Sequence, residues 1–115
     1  MLVCSVDFGV VNFAYCFMHV HASKDILLCD ILKWSVEDIR QTTQKVTKIP
    51  ISEITTCFTQ HTFPLHFQTI LDEHGAANVV FLLEQQPSAC RFRPGNPKMK
   101  VLSHVLQALL INRGV

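Results

Sequence analysis

Two acids at the ends of two apolar runs are the side chains in this sequence best placed to do chemistry. Asp7 closes the run Leu2-Val3-Cys4-Ser5-Val6 and is followed by Phe8-Gly9. Glu84 closes Val79-Val80-Phe81-Leu82-Leu83 and is followed by Gln85-Gln86-Pro87. A carboxylate where a buried strand emerges costs desolvation energy unless something positive meets it. Two such acids on neighbouring strands invite a divalent cation, most simply magnesium, which prefers oxygen ligands.

The charge balance points to an anionic partner. After Glu84 there is no acid, while Arg91, Arg93, Lys98, Lys100 and Arg113 follow, so the preceding residues hold five cations against nine acids. Arg91, Arg93, Lys98 and Lys100 beside the acids suit the phosphates of a nucleic-acid backbone. A solvated basic face is the plainer alternative. Asn12 is read as holding the Gly9 turn through local hydrogen bonds. Gln85 and Gln86 either orient Glu84 and touch DNA or are simply exposed. His19 and His21 share a strand face and, with Cys16 or Cys29, raise the question of zinc, but their spacing matches no structural zinc pattern.

These groups need strands to position them. Alternation of Leu2, Cys4, Val6 and Phe8 against Val3, Ser5 and Asp7 predicts a strand over 2–8. Gly9 turns the chain, a second strand runs from Asn12 to Val20, and polar 21–25 forms a hairpin loop into a third strand, Ile26 to Trp34. Ser35 with Asp38 resembles a capping box and predicts a short helix there. Ser52 is placed as the cap of a longer helix through Ile54, Phe58 and His61, which Pro64 kinks or divides, with Gly75 as its C-cap. From Asn78 to Leu83 the chain is apolar on both faces, the pattern of a parallel strand buried between helix layers. Met99, Leu102, Leu106, Leu109 and Leu110 follow helical spacing and Gly114 ends that helix. Tyr15, Phe17 and the other aromatics are assigned to the core.

A crossover from the third strand to 78–84 sets the latter parallel to the first, so that Asp7 and Glu84 emerge together. At 115 residues the chain fits one α/β domain spanning 1–115. No apolar run reaches the roughly 18–20 residues of a membrane span, and the N-terminus lacks the pattern of a signal peptide. Five scattered cysteines, odd in number, indicate a reducing, intracellular setting, without distinguishing a viral factory, the nucleus or the mitochondrion.

Asp7-x-Gly9-x-x-Asn12-x-Ala14-Tyr15, the later Glu84-Gln85-Gln86-Pro87 and the basic loop into Lys98-Met99-Lys100 resemble the Holliday junction resolvases of the RuvC type. The resemblance is to the branch of large DNA viruses and fungal mitochondria, and covers nearly the whole chain. It implies a ribonuclease H-like mixed sheet: three antiparallel strands, a crossover helix, a parallel central strand and a helix. It also implies a homodimeric endonuclease that cuts four-way DNA junctions with two magnesium ions, or manganese in their place. Asp7 and Glu84 match the family's metal-binding positions. The family pattern continues with a fifth strand and a last helix carrying two further acids. Those are expected to be missing here, leaving the domain incomplete at its C-terminus, the face of Leu102, Leu106 and Leu109 partly uncovered, and the isolated chain inactive. The alternatives are a non-catalytic DNA-binding remnant and half of an actin-like or sugar-kinase-like ATPase. The latter needs a glycine-rich phosphate loop, and the four glycines here are not clustered.

Overall fold

The computed structural model describes residues 1–84 and 97–115. Strand β1 (Leu2–Asp7) pairs antiparallel with β2 (Phe13–Ser23), which pairs antiparallel with β3 (Ile26–Glu37). Strand β4 (Val79–Leu83) lies parallel to β1 on its other side, giving the order β3-β2-β1-β4. A parallel neighbour cannot be reached by a hairpin, and the long helical crossover between β3 and β4 supplies the connection. This is the α/β mixed sheet expected of a ribonuclease H-like domain.

The hairpin is tighter than the sequence pattern suggests. Residues 21–23 belong to β2, and the turn is only Lys24-Asp25, with Lys24 at φ 56°. A two-residue turn with positive φ matches the twist of the strands, and the longer ladder pairs backbone groups that a loop would leave to water. Strand β3 likewise continues past Trp34 to Glu37, so no helix starts at Ser35. The Ser35 hydroxyl instead donates to Glu37 Oε1 at 2.5 Å, and Asp38 is taken by Arg40 at 2.8 Å.

After a short 3-10 turn (Val46–Lys48), Pro50 opens helix α1 (Ile51–Cys57). Ser52 is not the cap; it lies inside the first turn, where its carbonyl accepts from Thr56 Oγ1 at 2.8 Å. The helix does not break at Pro64. It widens into a π-helical segment (Phe58–Gln68) and resumes as α2 (Thr69–His74). Proline has no N–H and its ring crowds the preceding turn, so i→i+5 spacing provides a way through. Gly75, at φ 86°, ends α2 with its N–H on the Leu71 carbonyl.

Helix α3 (Pro97–Asn112) starts on proline, whose missing N–H costs nothing there. It stops in a Schellman turn: Gly114 N–H meets the Ile111 carbonyl and Val115 N–H the Leu110 carbonyl. Its apolar stripe is covered by α1 and the π segment, with Leu102 and Leu106 fully buried. On the face expected to be partly uncovered, Leu102 and Leu106 leave no gap, while Leu109 is only partly buried.

The core lies between these helices and one face of the sheet. Phe13 and Tyr15 of β2 meet Phe58 and Phe67, with ring centroids 5.4 Å apart for Phe13–Phe58 and 5.1 Å for Tyr15–Phe67, while Phe17 meets His74. Strand β4 is covered on one face only: Val79, Phe81 and Leu83 join the core while Val80 and Leu82 stay exposed. The reading of this strand as buried between two layers is therefore corrected. Apolar side chains also occur elsewhere on this second face of the sheet, where Ile31 and Val36 are exposed. Among the described residues no helix is long and apolar enough to cross a membrane.

Candidate functional site

The register of the parallel pair determines where the two acids go. Val6 partners Leu83, so the next step along both strands sets Asp7 beside Glu84 at their shared C-terminal ends. Neighbouring strands lie about 4.8 Å apart, which brings the two backbones within reach of one ion. Alternation from the pairs Val3–Val80 and Ser5–Leu82 directs both acids to the open face. Asp7 and Glu84 are exposed, not buried as their apolar neighbours suggest.

The surroundings of Asp7 form a shallow hollow on the open face, lined by Ser5, Ala14, Cys16 and Trp34. Trp34 is no core residue: 70% of its surface is accessible, one strand away from Ala14 and Cys16. Its position follows from the β2–β3 register, which pairs it with Cys16, and alternation alone flags it as outward-facing once the strand is extended to Glu37.

The loop leaving Asp7 is shaped by backbone contact. A Cβ on Gly9 would lie 2.5 Å from the Asn12 carbonyl oxygen, so only glycine lets the chain close there. Asn12 thus contributes its main chain to the turn, while its side chain is exposed. Behind β1, Tyr15, the register partner of Val6, fixes the sheet to the helices. Its hydroxyl lies 2.8 Å from His66 Nδ1, and His66 Nε2 lies 3.5 Å from Glu37 Oε1. Burial, more than its charged neighbours, pushes the His66 pKa down, with Glu37 opposing and Lys33 adding to that shift. A neutral imidazole that accepts from Tyr15 at Nδ1 carries its proton on Nε2, facing Glu37.

The cations divide by role. Arg91 and Arg93, with Gln85 and Gln86, lie outside the described residues. Lys98, in the first turn of α3, donates to the Val46 carbonyl and so ties that helix to the 3-10 turn. Lys45 and Lys48 flank Val46 and are exposed, so they join Lys98 in a basic cluster that the linear sequence does not reveal. Lys100 is exposed in the same turn of α3. Arg113 is structural: its guanidinium sits 4.5 Å from the Phe63 ring centroid and donates to Gln68 and to the Leu109 carbonyl.

The strand order and the crossover form an α/β mixed sheet consistent with a ribonuclease H-like fold, with two exposed acids at adjacent strand ends. A comparison with family profiles gives the more particular assignment. The profile described as mitochondrial resolvase Ydc2 / RNA splicing MRS1, a RuvC-like resolvase family, matches residues 3–111, and the chain belongs to this family. The match supports the resolvase resemblance at the level of the family, without selecting the viral branch. No curated protein and no solved structure matches the chain.

Proposed function

We propose that this chain is the nuclease domain of a Holliday junction resolvase, a homodimer that cuts branched, four-way DNA by magnesium-dependent hydrolysis. The observation that carries the reading is the parallel β1–β4 register, which sets Asp7 and Glu84 side by side on the open face in a chain of this family. The donor set fits the ion: two exposed carboxylates offer only oxygen, which suits magnesium and also manganese. When bound, the ions supply Lewis-acid stabilisation of the charge that builds on the phosphodiester, and ease ionisation of the attacking water. Asp7 and Glu84 hold and orient that charge at the rim of the hollow. Trp34 offers an exposed ring to an unstacked base, and Lys45, Lys48, Lys98 and Lys100 meet the phosphate backbone. Arg91 and Arg93 are assigned to the same backbone from their sequence position, with Gln85, Gln86 and Asn12 in support.

The test uses purified protein on a synthetic four-way DNA junction with magnesium. Asp7→Asn or Glu84→Gln is expected to abolish cleavage while junction binding persists. Lys45→Ala with Lys48→Ala is expected to flatten the log–log salt dependence of binding by nearly two, at about 0.9 per lost phosphate contact. Cleavage that survives both acid substitutions would refute the assignment. A second reading, DNA binding without cleavage, is favoured by the acid count, since an ordered pair of magnesium ions needs more fixed oxygens than two carboxylates offer. Tight junction binding with no magnesium-dependent cleavage by the wild-type protein would select it. The family description also includes RNA splicing, so a branched RNA is the comparison substrate.

A further inference from the structure

The β2–β3 hairpin outgrows the rest of the sheet. Strand β1 reaches the Leu2–His19 pair and Met1 adds two backbone hydrogen bonds to Val20, whereas β2 and β3 remain paired out to Ser23–Ile26. The outer rungs, His21–Leu28 to Ser23–Ile26, therefore have no third strand in their ladder among the described residues. Two-stranded ribbons of this kind are marginal in water without another constraint.

At the root of that ribbon three metal-ligating side chains meet on one face. His19 and Asp30 are direct cross-strand partners, and His21 follows two residues along the same face. The two imidazole rings lie 5.2 Å apart and only 27° from parallel. One ligand atom from each of His19, His21 and Asp30 falls within 4.8 Å of the others. His21 Nδ1 is shut off from solvent, has no hydrogen-bond partner among the described residues, and lies 3.8 Å from Asp30 Oδ2. That separation is too long for a hydrogen bond but close to the spacing of two ligands on one ion. A zinc ion with bonds near 2.1 Å holds its ligand atoms about 3.4 Å apart, so small rotations of the half-buried His19 and His21 and the exposed Asp30 bring all three onto one ion.

We propose that His19, His21 and Asp30 form a zinc site, open to a water as fourth ligand, that clips the β2–β3 hairpin. The ligand set differs from the one the sequence raised and set aside. Cys16 and Cys29 fall on the opposite face, because Cys16 is an odd number of residues from His19 and Cys29 partners Val20. Asp30, contributed across the hairpin, takes the place those cysteines were considered for. Two imidazoles with one carboxylate favour borderline ions such as zinc over magnesium, whereas Asp7 and Glu84 offer only oxygen. The two sites are on opposite faces and at opposite ends of β1, roughly 17 Å apart along the strand at about 3.3 Å per residue. The proposal is independent of the nuclease reading.

The experiment titrates the full chain, stripped of metal, with zinc alone in a calorimeter, and follows amide exchange across the hairpin. One equivalent is expected to bind, shifting the imidazole resonances of His19 and His21 and slowing exchange over residues 20–29. His21→Gln and Asp30→Asn should each weaken binding at least about tenfold, the low end of what even outer-shell changes cost a metal site. Asp30 is exposed, so its substitution leaves the fold intact if His21→Gln does not. Asp7→Asn, and Cys16→Ser with Cys29→Ser, should leave zinc affinity unchanged. Absence of binding, undiminished affinity in Asp30→Asn, or loss in the cysteine or Asp7 variants would overturn the proposal.

Discussion

Replacing Tyr15 with Phe removes a single oxygen from a residue that is 1% exposed, and the structure states what that oxygen does. It joins β2 to the π-helical segment through His66 Nδ1 at 2.8 Å, in a layer otherwise made of phenylalanine rings. The Phe variant keeps the ring packing but leaves a buried imidazole nitrogen without its donor. The cost of such an orphaned acceptor is about 1–3 kcal/mol. With a denaturant slope of about 1–3 kcal/mol per molar urea for a domain of this size, the unfolding midpoint should fall by about 1 M near neutral pH. The same contact has a pH signature. His66 has its pKa pushed below the ordinary value of 6.5, chiefly by burial, so the folded protein binds fewer protons than the unfolded chain between the two values. Stability is therefore full above about pH 6.5 and declines as pH falls through that window. Urea melts near pH 7.5 and pH 5.5 measure both effects, and His66→Gln should show a smaller fall between them than wild type, because the titrating group is gone. An unchanged midpoint for Tyr15→Phe, or an equal acid-side fall in His66→Gln, would refute this account of how the helices are fastened to the sheet.

Other outcomes follow from the same coordinates. Gly9→Ala drives a methyl to 2.5 Å from the Asn12 carbonyl, and overpacking against backbone costs about 1–3 kcal/mol, only partly offset by the roughly 0.4–1 kcal/mol gained from a stiffer unfolded chain. Thermal melting should drop by several degrees, and a Tm at or above wild type would show that the loop after Asp7 yields freely. Thiol reactivity should separate the cysteines: Cys29 is exposed and should be alkylated rapidly by a maleimide in the native protein. Cys4 is fully buried with its thiol pKa pushed up to about 12, by desolvation first and by Cys16 second, so it should react only on unfolding. Native labelling of Cys4 at the rate of Cys29, read by mass spectrometry of peptides, would contradict the packing of β1.

Local pattern carried much of the architecture. The alternation in 2–8 marks β1 and the side on which Cys4, Val6 and Phe8 meet the core, and the leucine spacing in α3 marks the buried stripe. Alternation also assigns Asp7 to the face opposite that core. The same reasoning failed where a short-range rule met a long-range partner. Ser35 and Asp38 have capping-box spacing, yet β2 recruits residues 35–37 as strand, because pairing Ser35 with Tyr15 and Glu37 with Phe13 satisfies more backbone groups than one helical turn would. Pro64 signals a break, yet the aromatic contacts of Phe58, Phe63 and Phe67 on either side hold the helix together across it.

The sequence by itself established that Asp7 and Glu84 end strands, that three strands are followed by a helical crossover to a fourth, and that cations accumulate after Glu84. These are properties of period and order along the chain. Only the tertiary structure decided which groups share a face and which chain segments meet. It set both acids on an open sheet surface rather than in a buried cleft, turned Trp34 outward, and brought Val46 with Lys45 and Lys48 to Lys98. It also placed Asp30, not a cysteine, beside His19 and His21. The reason is physical: alternation gives each strand two faces, but which face meets helices, and what stands across the next strand, depends on register and on partners distant in sequence.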